Sequence, residues 1–162
     1  LIAQCEDSFT NYVELPNNIT ILSGGNCLSD NDIDVLDRII NLNDLNYNSP
    51  LELGTQTWLN GRLRFFVAGN YGNSAGINDT IYTLPDNIGD LDNLALLYLE
   101  WHRLSELPSS FSQMQSLISV YLNNNILSSL VDDIDNLTNL NLLDLGYNEL
   151  AIIPNSLSLI HI

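Results

Sequence analysis

The residues with catalytic or metal-binding chemistry are few in kind and scattered along the sequence. There are two histidines, His102 and His161, two cysteines, Cys5 and Cys27, and 20 carboxylates. Nucleophilic catalysis needs a Ser or Cys beside a His and a carboxylate, and the spacing brings no such set together. Paired carboxylates occur throughout so acidic a chain and single out no site for acid–base chemistry. Glycine-rich phosphate loops are also absent, so we predict no enzyme and no cofactor.

An acidic run at positions 30–34 (DNDID) is similar to the start of a calcium loop of the EF-hand type. The sixth position of that loop would be Val35 instead of Gly, and the twelfth would be Asn41 instead of Glu. Carboxylates also stabilise the N-terminal end of a helix, because they face the positive end of its dipole. The run therefore favours a capped helix start, and a divalent cation stays an alternative without a supporting motif.

The charge of the chain excludes several classes of partner. The 20 Asp and Glu residues face four Arg and no Lys, which gives a net charge of −16. Nucleic acids and anionic bilayers bind clustered Lys and Arg, so this chain would be repelled from both. No apolar run reaches about 18 residues, and no membrane span is predicted. The acidic surface either attracts a basic protein or a divalent cation, or simply keeps the protein soluble.

The two cysteines lie close together in the first part of the sequence. Two thiols without a nearby His pair do not make a zinc site, and nothing around them activates a reactive thiolate. A covalent bond helps most where the apolar core is small, so we predict a disulfide between Cys5 and Cys27. The opening LIAQC segment hints at a cleaved signal peptide, although Gln4 is a poor residue before such a cut.

The second half of the sequence repeats itself at a shift of 23 residues. The LxL core of each unit alternates with period two, as a short strand with one buried face does. One strand cannot bury that face alone, so the units must stack and pair their strands in a parallel sheet. The aligned columns are Leu94, Leu117 and Leu140; Leu97, Val120 and Leu143; Leu99, Leu122 and Leu145; His102, Asn125 and Asn148; and Leu104, Leu127 and Leu150.

The repeated string LxxLxLxxNxLxxLPxxIxxLxx resembles the leucine-rich-repeat family in its 23-residue variety, over about residues 63–162. The resemblance implies an α/β solenoid, a right-handed arc with a parallel inner β-sheet and short helical or irregular outer segments. About four units are expected, the first degenerate and the last incomplete. The chain stops at 160–162 (IHI), midway through a unit, so we expect further chain or a neighbouring molecule to cover that end.

Asn125 and Asn148 are predicted to be structural, because an Asn amide can both donate to and accept from turn backbone that is otherwise buried unpaired. His102 fills the same column and can replace only part of that set, which indicates a distorted turn. The degenerate first unit places Leu63 and Phe66 at core positions. The stretch 69–76 (GNYGNSAG) is predicted to be an inserted loop, either functional or mobile filler.

Residues 1–62 are predicted to form an N-terminal capping region. A helix over about 30–41 has apolar residues at helical spacing and can cover the first repeat. The stretch 51–63 (LELGTQTWLNGRL) is similar to the Trp-then-NGRL entry into the first strand of many secreted repeat proteins. That similarity implies that Trp58 anchors the cap and that the protein is secreted or displayed at the cell surface.

Residues between the core leucines are expected to line the concave face of the arc in exposed columns. Tyr, Trp and Arg are typical anchors of protein interfaces, so we predict a protein-binding module. The alternative is a self-assembling subunit of an extracellular filament, sheath or surface layer, in which the partner is another copy of the chain. The predicted binding residues are Tyr98, Glu100, Trp101, Arg103, Tyr121, Asn123, Asn124, Asp144 and Tyr147, beside Val67, Ile126, Gly146 and Glu149 in the same columns.

Overall fold

The computed structural model describes residues 4–154 and residue 157. The end of the predicted last repeat at 160–162, with His161, lies outside the described residues. Eight strands and one α-helix follow in chain order: β1 (Phe9–Asn11), β2 (Ile19–Ser23), β3 (Cys27–Ser29), α1 (Asp30–Leu42), β4 (Thr55–Leu59), β5 (Arg62–Val67), β6 (Leu96–Tyr98), β7 (Ser119–Tyr121) and β8 (Leu142–Asp144). Short 3₁₀ helices lie between them at Pro50–Glu52, Ile88–Asp90, Ser109–Gln113 and Ile134–Asn136.

Six strands form one sheet in the order β2-β4-β5-β6-β7-β8, while β1 and β3 pair separately. β4 and β5 are antiparallel neighbours, and every other pair in the large sheet is parallel. Leu97 lies opposite Phe66 on one side and Val120 on the other, and Val120 lies opposite Leu143. The observed register therefore matches the predicted core columns, and the molecule has an α/β repeat fold.

A single apolar core lies between the strands and the outer segments. Phe66, Leu97 and Val120 point into it from successive strands and are fully buried. Ile88 and Phe111 reach the core from the 3₁₀ helices Ile88–Asp90 and Ser109–Gln113, and the last three 3₁₀ helices stack on one another in chain order. Each repeat thus buries its strand and its outer segment against the adjacent repeat, as stacked repeats must.

Asn125 and Asn148 lie in the turns that leave the strands, and we call their repeated hydrogen bonds the asparagine ladder. Asn125 accepts a hydrogen bond from the Leu104 N–H at 3.0 Å and donates to the carbonyls of Leu99 and Leu122. Asn148 makes the same set one repeat later, beginning with the Leu127 N–H at 2.9 Å. Both side chains therefore hydrogen-bond to backbone groups of these turns.

The N-terminal region contributes strands as well as a helix. Ser29 caps α1 by accepting a hydrogen bond from the Asp32 N–H, and the helix ends at Leu42, close to the predicted end. α1 packs against β3 and against the 3₁₀ helices Pro50–Glu52 and Ile88–Asp90, so it lies beside the outer segments. It is β4 and β2 that extend the sheet beyond β5. Residues on both sides of position 62 therefore share one sheet, and the division into a cap and repeats stays a prediction.

The predicted Cys5–Cys27 disulfide is present, and Trp58 lies in the core. The two cysteines are bonded, and their Cα atoms are 5.6 Å apart. The Trp58 side chain is fully buried, and its indole N–H donates to Gln56 Oε1 at 3.1 Å. Both features lie in segments that precede β5.

The acidic run at the start of α1 contains a carboxylate, Asp32, that bonds to other residues of the chain. The buried carboxylate of Asp32 accepts hydrogen bonds from the Leu63 N–H at 2.7 Å and from the Arg62 guanidinium at 2.8 Å. Arg62 also pairs with Asp92 at 2.5 Å. Burial raises the pKa of Asp32, whereas the bonds to Arg62 and Leu63 oppose that rise. The Asp32 carboxylate thus connects the first turn of α1 to the start of β5. It is not positioned to bind calcium.

Candidate functional site

The side chains of the large sheet that point away from the core form a surface that we call the open face. It corresponds to the face predicted to be concave. Tyr98, Tyr121 and Asp144 lie opposite one another on β6, β7 and β8, and Val67 precedes them on β5. Because neighbouring strands lie about 4.8 Å apart, these four positions form a continuous column.

A second column on the open face is more apolar, and it lies outside the predicted binding residues. Phe65, Leu96, Ser119 and Leu142 lie opposite one another two residues before the first column. Phe65 and Leu142 each remain 37% exposed. Alternation along each strand requires these side chains to share a face with the tyrosines. The alternation was therefore a usable signal for finding them.

Tyr98 and Tyr121 stack on each other at the centre of the open face. Their ring centroids are 4.2 Å apart, and the ring planes are 11° from parallel. Burial, together with the neighbouring Tyr121 and Glu100, raises the pKa of Tyr98. The Tyr98 hydroxyl therefore acts as a neutral hydrogen-bonding group near pH 7, and the two rings present an aromatic platform that stays partly open to solvent.

Glu100 was expected to be exposed, and that expectation is wrong. The side chain is only 8% exposed, because Tyr71 covers it and donates a hydrogen bond from its hydroxyl to Glu100 Oε2 at 2.5 Å. Burial raises the pKa of Glu100, and the negative charge of Asp144 raises it further, while the bond from Tyr71 opposes both. The two carboxylates are thus close enough to repel each other.

Tyr71 comes from the predicted inserted loop. Phe66 pairs with Leu97, 31 residues later, whereas Leu97 pairs with Val120, 23 residues later, so this unit contains eight extra residues. A Cβ atom at Gly69 or Gly76 would collide with the Tyr71 ring, so both glycines allow the ring to lie against the backbone. The loop is therefore anchored on the open face, a placement that sequence periodicity could not indicate.

Trp101, Asn124 and Tyr147 lie just beyond the strands, in turns. All three have left-handed backbone conformations, with φ of 63°, 59° and 56°. Asn adopts this conformation readily, whereas Trp and Tyr do so at a cost. Trp101 is 56% exposed and Tyr147 is 86% exposed. Two large aromatic side chains therefore project from the rim of the open face.

The remaining predicted positions surround this rim. Asn123 follows β7 and is half-buried, and its Oδ1 has no hydrogen-bond partner among the described residues. Arg103 and Glu149 are exposed, Ile126 between them is half-buried, and their backbone N–H groups bond to the preceding repeat. These three lie past the asparagine ladder. The structure thus places Val67, Tyr98, Tyr121 and Asp144 on the strands and leaves the other predicted residues in the turns beyond.

Comparison with solved structures finds a similar chain in a leucine-rich-repeat protein of Leptospira interrogans. The two sequences are 34% identical over a match that covers 50% of this chain and 21% of that protein, with a TM-score of 0.48. This chain thus spans about a fifth of the length of that protein. No protein-family model and no curated protein matches the sequence.

The histidine within the described residues, His102, bonds to backbone on both sides of its ring. His102 is buried; its Nδ1 accepts from the Ile81 N–H at 3.1 Å, and its Nε2 donates to the Ala68 carbonyl at 2.7 Å. Burial lowers the pKa of His102, and neither ring nitrogen is available to a substrate. No cluster of three or more metal-ligating side chains occurs in the part of the chain that the structure describes. Within that same part, no helix is long and apolar enough to cross a membrane.

Proposed function

We propose that this chain is a protein-binding module that uses the concave face of a leucine-rich-repeat solenoid. The observation that carries the proposal is the stacked pair Tyr98 and Tyr121 on the open face, beside the exposed side chains of Phe65 and Leu142. Aromatic residues are enriched at the centres of protein interfaces, where they bury a large area with few rotatable bonds.

The repeat framework supports a large and rigid binding surface. Strands β2 and β4–β8 are hydrogen-bonded to one another, and their core-facing side chains share a single apolar core. A typical protein interface buries about 800 Å² on each partner, and side chains held on strands lose little entropy when a partner docks. In this proposal the column Val67, Tyr98, Tyr121 and Asp144 forms the centre, and Trp101 and Tyr147 contact the partner from the rim.

The proposal includes a secreted or cell-surface location. The Cys5–Cys27 disulfide supports it, because disulfides persist mainly in oxidising compartments. The proposal also treats residues 1–62 as the N-terminal cap of the solenoid. The continuation of the sheet through β4 and β2 supports this, since β4 covers the edge of β5 that would otherwise be free and β2 covers the outer edge of β4.

The test is a binding measurement with paired variants. A partner isolated by crosslinking to the native protein would be purified, and its affinity would be measured by calorimetry. We expect Tyr98→Ser combined with Tyr121→Ser to weaken binding at least about 30-fold, as hot-spot residues do. Tyr82→Ser removes a tyrosine that is 56% exposed outside the strands and serves as the control. Equal affinities for the double variant and the control would refute the open face as the site.

Self-association is examined with the same protein. Light scattering across a concentration series separates a monomer that binds a different protein from a self-assembling structural subunit. If the molar mass rises with protein concentration, and the Tyr98→Ser and Tyr121→Ser double variant abolishes that rise, the partner is a second copy of the chain. A constant monomer mass would leave a different protein as the occupant of the open face.

A further inference from the structure

The tyrosine pair of the open face has two carboxylates beside it and no cation. Asp144 lies opposite Tyr121 on the neighbouring strand, its charge raises the pKa of Glu100, and the charge of Glu100 raises the pKa of Tyr98. Among the described residues, neither carboxylate forms an ion pair with an arginine. The centre of the open face therefore carries two carboxylates that no arginine within residues 4–154 neutralises.

The arginines nearest in sequence have other partners or other positions. Arg62 is held by Asp32 and Asp92, and Arg64 donates to the Asn93 carbonyl at 2.8 Å. Arg38 pairs with Asp34 on the exposed side of α1. Arg103 is exposed beyond the asparagine ladder. A cation at the tyrosine pair would consequently come from another molecule.

The geometry favours an organic cation over a metal ion. Calcium and magnesium require six or more oxygen ligands, and the described part of the chain contains no group of three ligating side chains. Glu100 already accepts the Tyr71 hydroxyl, and Asp144 Oδ1 accepts the Gly146 N–H at 3.0 Å. Stacked aromatic rings, by contrast, attract an ammonium or guanidinium group through their π faces, more strongly where water is partly excluded.

We propose that the open face recognises an arginine or lysine side chain of its protein partner, held against Tyr98 and Tyr121 and facing Glu100 and Asp144. This inference rests on the proposed function and adds the chemistry of the partner. Arginine fits best, because its planar guanidinium stacks on aromatic rings while its N–H groups donate to carboxylates. The net charge of −16 also accelerates the approach of a basic segment.

A pair of short peptides provides a direct probe. One is a capped ten-residue Gly/Ser peptide with two arginines, and the other has citrulline, a neutral isostere, at both positions. Binding to the wild-type protein is followed by NMR to millimolar peptide at about 0.15 M salt, where long-range attraction is screened. We expect the arginine peptide to shift the resonances of Tyr98 and Tyr121 and to bind at least tenfold more tightly than the citrulline peptide. Equal affinities, or no binding at millimolar peptide, would overturn the inference.

Two charge-matched variants separate local recognition from the overall acidity of the chain. Glu100→Gln with Asp144→Asn removes two charges from the open face, whereas Asp86→Asn with Asp133→Asn removes two from exposed positions outside the strands. We expect the first pair of substitutions to weaken binding of the arginine peptide at least tenfold, and the second pair to weaken it less than twofold. Equal losses would show attraction by net charge alone and would sink the inference. Because the peptide comparison uses wild-type protein, it remains decisive even if a variant folds poorly.

The purified partner distinguishes this inference from the proposed function. Loss of its binding in the Tyr98→Ser and Tyr121→Ser variant, with full binding in the Glu100→Gln and Asp144→Asn variant, would keep the protein-binding face and reject the cation. Full binding in both variants would reject both proposals. Loss of partner binding in both variants, with full binding in the Asp86→Asn and Asp133→Asn variant, would support recognition of a basic side chain at this face.

Discussion

His102 Nδ1 accepts a hydrogen bond from the Ile81 N–H at 3.1 Å, the position where Asn125 Oδ1 accepts from Leu104 one repeat later. The histidine therefore takes the place of the ladder asparagine. Its other nitrogen donates to the Ala68 carbonyl, so both ring nitrogens are occupied in the neutral form. A proton on Nδ1 would face the Ile81 N–H and break the bond, because two donors cannot pair.

This arrangement predicts a stability that falls in mild acid. The pKa of His102 is lowered in the folded protein from its ordinary value of 6.5, so the unfolded chain binds the proton more readily. The contribution of neutral His102 to the free energy of unfolding is therefore complete above about pH 6.5, and it is lost as the pH falls below that value. Linkage limits the loss from one histidine to about 2 kcal/mol between pH 6.5 and pH 5.

His102→Asn is the matched variant for this prediction. Urea unfolding at pH 7.5 and pH 5 should show a smaller loss of stability in the variant than in the wild type. His161 is present in both proteins, so the difference isolates position 102. Identical pH dependence in the two proteins would contradict the assignment of the buried neutral ring.

Substitution of Asn125 should lower the free energy of unfolding more than substitution of an exposed asparagine. Asn125→Ala removes one acceptor and two donors from buried turn backbone, leaving the Leu104 N–H and two carbonyls short of partners. We expect a loss of about 3 kcal/mol in the free energy of unfolding, since each unmet buried group costs about 1 kcal/mol or more. Asn136→Ala, at an exposed position of an outer 3₁₀ helix, should change stability by less than about 0.5 kcal/mol. Comparable losses for the two variants would be inconsistent with a ladder.

The buried ion pair at the first repeat should behave differently from the surface pair. Asp32→Ala leaves the Arg62 guanidinium and the Leu63 N–H without their buried acceptor, and we expect a loss of about 3–5 kcal/mol. Asp34→Ala removes the exposed partner of Arg38 and should cost less than about 1 kcal/mol. Chemical denaturation of both variants measures the contrast. A small effect at Asp32 would mean that water replaces its bonds.

Tyr147 offers a test of whether backbone strain is retained for binding. Tyr147→Asn places a residue that tolerates left-handed backbone at φ 56°, and we expect the free energy of unfolding to rise by about 1 kcal/mol. The same variant should weaken partner binding, because an 86% exposed aromatic ring is removed from the rim. Tyr82→Asn, at an exposed position without positive φ, controls for the loss of a surface ring. A stability gain without any loss of binding would remove Tyr147 from the binding surface.

Periodicity predicted the parts of the fold that repeat, and it could not predict the parts that interrupt the repeat. The register of Phe66 with Leu97 and Val120 follows from columns of apolar residues, because each must enter the same core. Tyr71 belongs to an insertion, where no second copy exists for comparison, and its hydrogen bond to Glu100 places it on the open face. The burial of Glu100 was missed for that reason. Similarly, the partners of Asp32 lie about 30 residues away and outside any repeated column.

The hydrogen bond from Tyr71 to Glu100 leads to the last prediction. That bond lowers the pKa of Glu100, against burial and the charge of Asp144, which raise it. Tyr71→Phe keeps the ring over the carboxylate and removes only the donor. We therefore expect the pKa of Glu100 to be higher in the variant than in the wild type, measured by NMR titration of the side-chain carboxyl carbon. Tyr82→Phe, whose ring lies outside the strands, should leave this titration unchanged.

The same substitution has a consequence for stability that depends on pH. Near pH 7 a charged and buried Glu100 that has lost its donor should cost about 1.5–3 kcal/mol, the range for hydrogen bonds to charged groups. The cost should shrink as the pH falls through the raised pKa of Glu100 in the variant, because the neutral acid no longer needs the Tyr71 hydroxyl. Urea unfolding of both proteins at pH 7 and pH 4 measures this difference. A cost that does not change with pH would mean that Tyr71 acts by packing alone, and the loop would then be held on the open face by its ring instead of its hydroxyl.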